Sequence, residues 1–112
     1  MKKVILDTSF IFSCVKQKID FFEKIEHDGM TVIIPLQTIS ELEGLGADTA
    51  LKILENNEFE TADEKGKDAD EAILKISNKN PLAIIATLDQ CLQKRTKNRK
   101  MIIRGKKKLE II

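Results

Sequence analysis

The chain has 112 residues, about the length of one compact domain and too short for two. Apolar residues make up 42% and charged residues 33%, with five Gly and two Pro, which excludes a low-complexity or disordered chain. The net charge of +1 conceals an asymmetry: Glu41 to Glu71 holds eleven acids against Lys52, Lys65 and Lys67, whereas Lys94 to Lys108 holds nine bases and no acid.

Lys3-Val4-Ile5-Leu6 is too short for a helix and rich in β-branched residues, so it reads as a buried strand ending at Asp7. Thr8 and Ser9 supply N-cap chemistry for a helix carrying Phe10, Ile11, Cys14 and Val15. A second helix runs from Asp20 to Asp28, with Phe21, Phe22 and Ile25 on its stripe and Gly29 as its stop. Met30 to Ile34 is a strand halted by Pro35. Leu36, Ile39 and Leu42 then recur at helical spacing up to Gly44, and a further helix covers Ala47 to Asn56. Glu58 to Lys67 is unpatterned and reads as a connection, with a short extended piece around Phe59. Asp68 to Asn78 has the strongest helical pattern, Ala69, Ala72, Ile73 and Ile76, closed by Asn80-Pro81. Ala83 to Thr87 is a third strand, Leu88 to Lys97 a basic helix, Met101 to Ile103 a fourth strand and Leu109 to Ile112 a last one.

Strands alternating with helices imply right-handed βαβ units, and so a three-layer α/β domain with a mainly parallel sheet over residues 1–112. No apolar run is long enough to span a membrane, and Asp7 interrupts the place where a secretory signal would continue, so a soluble cytoplasmic protein is expected. Two Cys and one His make neither a disulfide framework nor a usual zinc site. Cys14 and Cys91 read as small buried groups and His27 as a surface residue near a helix end.

Ligands of such sheets sit beyond the carboxyl ends of the strands, where the strand order switches direction. Asp7 follows the first strand and Asp89 lies just past the third, so if both strands are central their side chains are neighbours. In the helix after Asp68, Asp68 and Glu71 match a capping box, while Asp70 borders the apolar stripe. There an unpaired carboxylate is costly unless a cation or donors meet it. Glu41 and Glu43 lie about 200° apart on their helix, so at most one joins the cluster, and the helical wheel leaves open which.

These segments carry a resemblance. Val4-Ile5-Leu6-Asp7-Thr8-Ser9, Pro35 with Ser40-Glu41-Leu42, Asp70-Glu71-Ala72-Ile73 and Ala86-Thr87-Leu88-Asp89 occur in the order and spacing of the PIN domain family of metal-dependent ribonucleases. The ending, Met101 to Ile111, resembles the archaeal branch related to small-subunit rRNA-processing PIN proteins; VapC-type toxins are more distant kin. The resemblance implies an α/β/α domain whose parallel sheet has four or five strands. It implies Asp7, Glu41, Asp70 and Asp89 as the acidic set, Glu41 being preferred to Glu43 because it directly precedes Leu42. Thr8, Ser9 and Thr87 would be hydroxyls that hold those carboxylates. Carboxylate oxygens suit Mg²⁺ or Mn²⁺, and the implied reaction is in-line phosphodiester hydrolysis of RNA leaving a 5′-phosphate and a 3′-hydroxyl. RNA contacts are expected from Lys94, Arg95, Arg99, Arg104, Lys106 and Lys107, because phosphate neutralisation dominates such binding. Trp and Tyr are absent and the five Phe are mostly at core spacing, which argues against sequence readout on aromatic platforms. A catalytically silent PIN scaffold, a homodimer, and a protein partner such as a ribosome-assembly factor or an antitoxin stay open. A haloacid-dehalogenase phosphatase would need an acid where Ser9 stands, and a Toprim nuclease would need Asp68-Ala69-Asp70 at a strand end.

Overall fold

A computed structural model describes residues 2–112. In chain order the elements are β1 (Lys3–Leu6), α1 (Thr8–Lys16), α2 (Phe21–His27), β2 (Thr31–Pro35), α3 (Leu36–Gly44) and α4 (Asp48–Glu55). They continue with β3 (Glu60–Ala62), α5 (Ala69–Lys79), β4 (Ile84–Ala86), α6 (Gln90–Arg95), β5 (Lys100–Arg104) and β6 (Lys108–Ile111). The sheet has six strands in the order β3-β2-β1-β4-β5-β6. All neighbours are parallel except β5 and β6, which form an antiparallel hairpin.

The period of two along each strand makes the three layers. Val4, Leu6, Val32, Ile34 and Ile84 face Phe10, Ile11, Cys14, Phe21, Phe22, Leu42 and Leu54 of α1 to α4. Ile5, Ile33 and Ile85 face the other way, onto Ile73 and Ile76 of α5 and Leu92 of α6. Strands buried on both faces read as continuous apolar runs, which is why β1, β2 and β4 are visible in the sequence. Among the described residues, no helix is long and apolar enough to cross a membrane.

Several expectations need correction. The sheet has six strands and not four or five, because Glu60–Ala62, expected to be part of a connection, pairs with β2 in the register Ile33↔Glu60 to Pro35↔Ala62. Its residues are exposed or half-buried, so backbone pairing alone defines it and no apolar pattern announces it. Thr8 and Ser9 do not cap α1: Asp7 stands at the N-cap, and the two hydroxyls bond elsewhere. Cys91 is exposed, unlike Cys14, whose burial pushes its thiol up to about 12.

The entry into α5 is tightly built. Asp68 accepts from the Glu71 amide, while the Glu71 carboxylate accepts from the Lys67 amide one residue earlier than a standard capping box. Gln37 donates to the carbonyls of Glu64 and Gly66 and so straps this loop to α3. A Cβ on Gly66 would lie 2.9 Å from the backbone nitrogen of Ala72 and 3.0 Å from Glu71 Cβ. A helical backbone cannot step aside, so Gly66→Ala is expected to lower stability by roughly 1–3 kcal/mol. Urea unfolding checks this, and an unchanged midpoint would contradict it.

Candidate active site

The strand order switches direction beside β1, with β2 and β3 on one side and β4 and β5 on the other. The crevice beyond the β1 and β4 carboxyl ends is therefore where such a sheet can seat a ligand. Asp7 is the first residue after β1, and its amide bonds to the Ala86 carbonyl at 2.9 Å. Asp89 caps α6, accepting from the Cys91 and Leu92 amides. Asp70 lies in the first turn of α5, and Glu41 reaches in from α3. Together Asp7, Glu41, Asp70 and Asp89 line a cleft of about 570 Å³ with Thr8 and Ser9. Glu43, the alternative to Glu41, is exposed and does not line it. The clefts between α2 and β6 and between α2 and β3 each carry three acids, Glu23, Asp28 and Glu110 in the first and Glu26, Glu58 and Glu60 in the second, but all six are exposed, whereas Asp7 is buried and Glu41, Asp70 and Asp89 are half-buried.

The hydroxyl bonds to Asp7 converge on one carboxylate oxygen. Thr87 and Ser9 donate to Asp7 Oδ2 at 2.7 and 3.0 Å. Those hydroxyls in turn accept from the amides of Asp89 and Leu88, at 3.0 and 3.1 Å. Because each hydroxyl has one proton and spends it on Asp7, the 3.3 Å approach of Ser9 to Thr87 is a contact and not a second donation. Backbone amides of the β4–α6 connection are thus relayed through two hydroxyls onto one carboxylate oxygen. Glu41 forms the other half of the frame, with Oε1 accepting from Thr8 Oγ1 at 2.6 Å and Oε2 from the Ala69 amide at 3.1 Å. It ties the start of α1 to the start of α5.

The charges are out of balance. Asp7 is 4% exposed, and burial raises its pKa despite the opposing bonds from Thr87 and Ser9; Glu41 adds to the rise. Asp70 is pushed up to about 6, first by burial and then by the charges of Asp7, Asp89, Asp68 and Glu41. Among the described residues no protein donor meets its carboxylate. The N-termini of α1, α5 and α6 all open at this edge, and their dipoles offset part of the repulsion.

Two facts bear on whether a metal fits. The donor set consists of carboxylates and hydroxyls, the hard oxygens that Mg²⁺ and Mn²⁺ prefer, and Asp70 has no competing partner. As the side chains lie, however, no three Asp, Glu, His or Cys of the described residues are arranged to hold an ion. Asp89 and Glu41 are turned to backbone amides and Thr8, so coordination requires them to exchange those bonds for the ion. The donor chemistry fits a divalent cation, with side-chain rotation.

The basic run is divided by the fold. Asn98 donates to the carbonyls of Asn80 and Ala83, which precede β4, so the α6–β5 connection lies at the amino edge of the sheet. Lys94, Arg95 and Arg99 are therefore at the end opposite the acids, where Lys94 and Arg95 complement the α6 dipole. Arg104, Lys106 and Lys107 are in the β5–β6 hairpin, at the acidic edge and two strands from β1. Arg104 pairs with Glu110 across the hairpin at 2.9 Å, leaving Lys106 and Lys107 exposed at the tip. Four further residues of this cleft, Phe12, Ser13, Lys16 and Leu45, were not expected from the sequence. The signal that could have found Phe12 is an aromatic residue off the apolar stripe of α1.

Comparison with known proteins agrees with this arrangement. The model of the PIN like domain matches residues 4–106. The rRNA-processing protein fcf1 of Schizosaccharomyces pombe is 35% identical over 99 residues, covering 82% of this chain and 52% of that protein. The chain thus spans about half the length of the curated relative it matches. A solved structure described as that of the PIN domain endonuclease Utp24 aligns with a TM-score of 0.84 at 29% identity, over 97% of this chain and 90% of the other. The family match over residues 4–106 and the fold shared with a solved PIN domain structure give one conclusion: the chain belongs to the PIN-like domain family.

Proposed function

We propose that this chain is a divalent-metal-dependent RNA endonuclease acting in rRNA processing, with Asp7, Glu41, Asp70 and Asp89 as its acidic set and residues 1–112 working as one domain. The observation that carries the reading is the convergence of four carboxylates from four separate elements on one cleft, with mutual repulsion that the fold relieves only in part. Fold stability alone gives no reason to keep such a cluster, whereas a cation site does. Similarity to an endonuclease structure and to an rRNA-processing protein supports the substrate class. A cytoplasmic setting and a ribosome-assembly partner belong to the same proposal.

Mg²⁺ or Mn²⁺, when bound, supplies Lewis acidity toward the attacking water and the phosphate oxygens. The protein does the rest. Thr87 and Ser9 fix the Asp7 carboxylate in one orientation, and Glu41 holds two helix starts at a set separation. Asp70, with no partner of its own, completes the set. Incubating the chain with single-stranded RNA should give internal cleavage in Mn²⁺ or Mg²⁺ and none in EDTA; metal-independent cleavage or no cleavage at all would overturn the proposal.

The hairpin lysines supply substrate charge in this reading. Replacing Lys106 and Lys107 together with Ala is expected to reduce the slope of log affinity against log salt by about 1.4 for single-stranded RNA. The pair Lys94→Ala and Arg95→Ala, on the opposite edge, is expected to leave the slope unchanged. Equal losses from both pairs would contradict the division of the basic run.

A second reading, a non-catalytic scaffold that binds RNA, rests on the absence of an ion-ready group of three ligands among the described residues. Salt-dependent RNA binding without cleavage, and no thermal shift with metal, would favour it.

A further inference from the structure

Helix α1 has two faces of different use. Phe10, Ile11 and Cys14 are buried in the core, whereas Thr8, Ser9, Phe12, Ser13 and Lys16 line the acidic cleft. At about 100° per residue those five positions fall on one side of the helix. Four of them are polar. The exception is Phe12, which is 41% exposed, while Phe10, Phe21 and Phe22 are buried and Phe59 packs with its centroid 6.3 Å from Phe22. Lys16 Nζ lies 5.6 Å from the Phe12 centroid and, among the described residues, is the only cation lining the cleft.

A ring left 41% exposed keeps much of its apolar area in water, and this one stands in the wall of a cleft lined mainly by carboxylates and hydroxyls. A ring with an adjacent ammonium matches one nucleotide: a base has a π-face to stack, and its phosphate has a charge to pair. A protein partner is less suited. Among the described residues, Leu45 is the only other exposed apolar side chain in the lining, and two such side chains fall far short of the roughly 800 Å² per side of a specific protein interface.

We propose that Phe12 is a stacking platform for an unpaired base of single-stranded RNA and that Lys16 pairs with the phosphate beside it, placing one nucleotide next to the acidic set. The inference rests on the nuclease reading and names the residues that would seat one nucleotide of its substrate; bases within a duplex have no free face to offer Phe12. Neither residue touches the reacting atoms, so both are positioning residues.

The chain has no Trp and no Tyr, which makes Phe12→Trp a clean reporter. Binding is measured without added divalent metal, using a single-stranded oligoribonucleotide and a duplex of the same length. The single strand should quench Phe12→Trp fluorescence strongly and the duplex weakly. Phe12→Leu, which keeps apolar area and loses the ring, should weaken single-strand binding by about tenfold, and Phe12→Trp should restore it. Lys16→Ala should lower the salt slope by about 0.7. Tight RNA binding with a silent indole and an unaffected Phe12→Leu variant would overturn the stacking role while leaving the nuclease reading intact. Failure of the unsubstituted chain to bind either RNA would also overturn the stacking role, whereas the nuclease reading stands or falls separately with cleavage in Mn²⁺.

Discussion

Asp7→Asn is expected to reduce RNA cleavage by on the order of 10²–10³-fold, the range found when one transition-state charge-stabilising group is removed, and to leave the chain folded. Asp7 is the most enclosed of the four acids, at 4% exposure, and its Oδ2 receives both the Thr87 and the Ser9 hydroxyl. An asparagine oxygen can accept the same two bonds, so the framework of hydroxyls and amides survives the change. What disappears is the negative charge. Burial already works against that charge, so the neutral isostere does not burden the fold. Single-turnover cleavage in Mn²⁺ with far-UV circular dichroism as a folding control measures both halves. Equal rates for the two proteins would remove Asp7 from the machinery.

Asp70→Asn is expected to stabilise the metal-free protein at pH 7 by about 1 kcal/mol, less than the shift alone implies because the group is only half-buried and solvent screens it. The sign follows from the direction of the shift. Asp70 is raised from 3.8 to about 6, so between those values the folded chain holds a proton that the unfolded chain has released. Stability from this group is thus greatest below that window and falls as pH rises through it. Asparagine removes the dependence. Metal reverses the order: a ligand that binds only the folded state at about a hundred times its Kd adds about 2.7 kcal/mol, and the variant should gain much less. Thermal midpoints of both proteins at pH 5 and pH 7, in EDTA and in Mg²⁺, check all four arms. A lower midpoint for the variant in EDTA, or an equal gain in Mg²⁺, would contradict the clustered charges.

In the proposed reading, stability and activity are opposed at this site for a physical reason. The four carboxylates repel one another, and the helix dipoles and hydroxyls offset only part of that repulsion. The remaining imbalance is what a divalent cation would relieve.

Much of this was legible in the chain because buried parallel strands and amphipathic helices leave strong patterns. β1, β2 and β4 are short apolar runs, and a carboxylate just after such a strand is placed by topology alone, which is why Asp7 and Asp89 could be paired on paper. Choices made by tertiary contact were not legible. The helical wheel could not separate Glu41 from Glu43; the Thr8 hydroxyl and Ala69 amide single out Glu41. Thr8 and Ser9 looked like caps because their residue types suit capping, but the carboxylates claimed their protons. β3 carries no pattern because it is a three-residue edge strand held by backbone pairing. The basic run is contiguous in sequence but covers a helix end, a turn, a strand and a hairpin, so its two ends lie at opposite edges of the sheet.

The most direct measurement is an anomalous difference map from a crystal soaked in Mn²⁺ at a concentration that supports RNA cleavage. A peak within coordinating distance of the Asp7 and Asp70 carboxylates, with Asp89 or Glu41 turned toward it, is the predicted result. A cleft without any ion under those conditions, or manganese bound only elsewhere on the molecule, would contradict a metal-dependent site at the β1–β4 switch point.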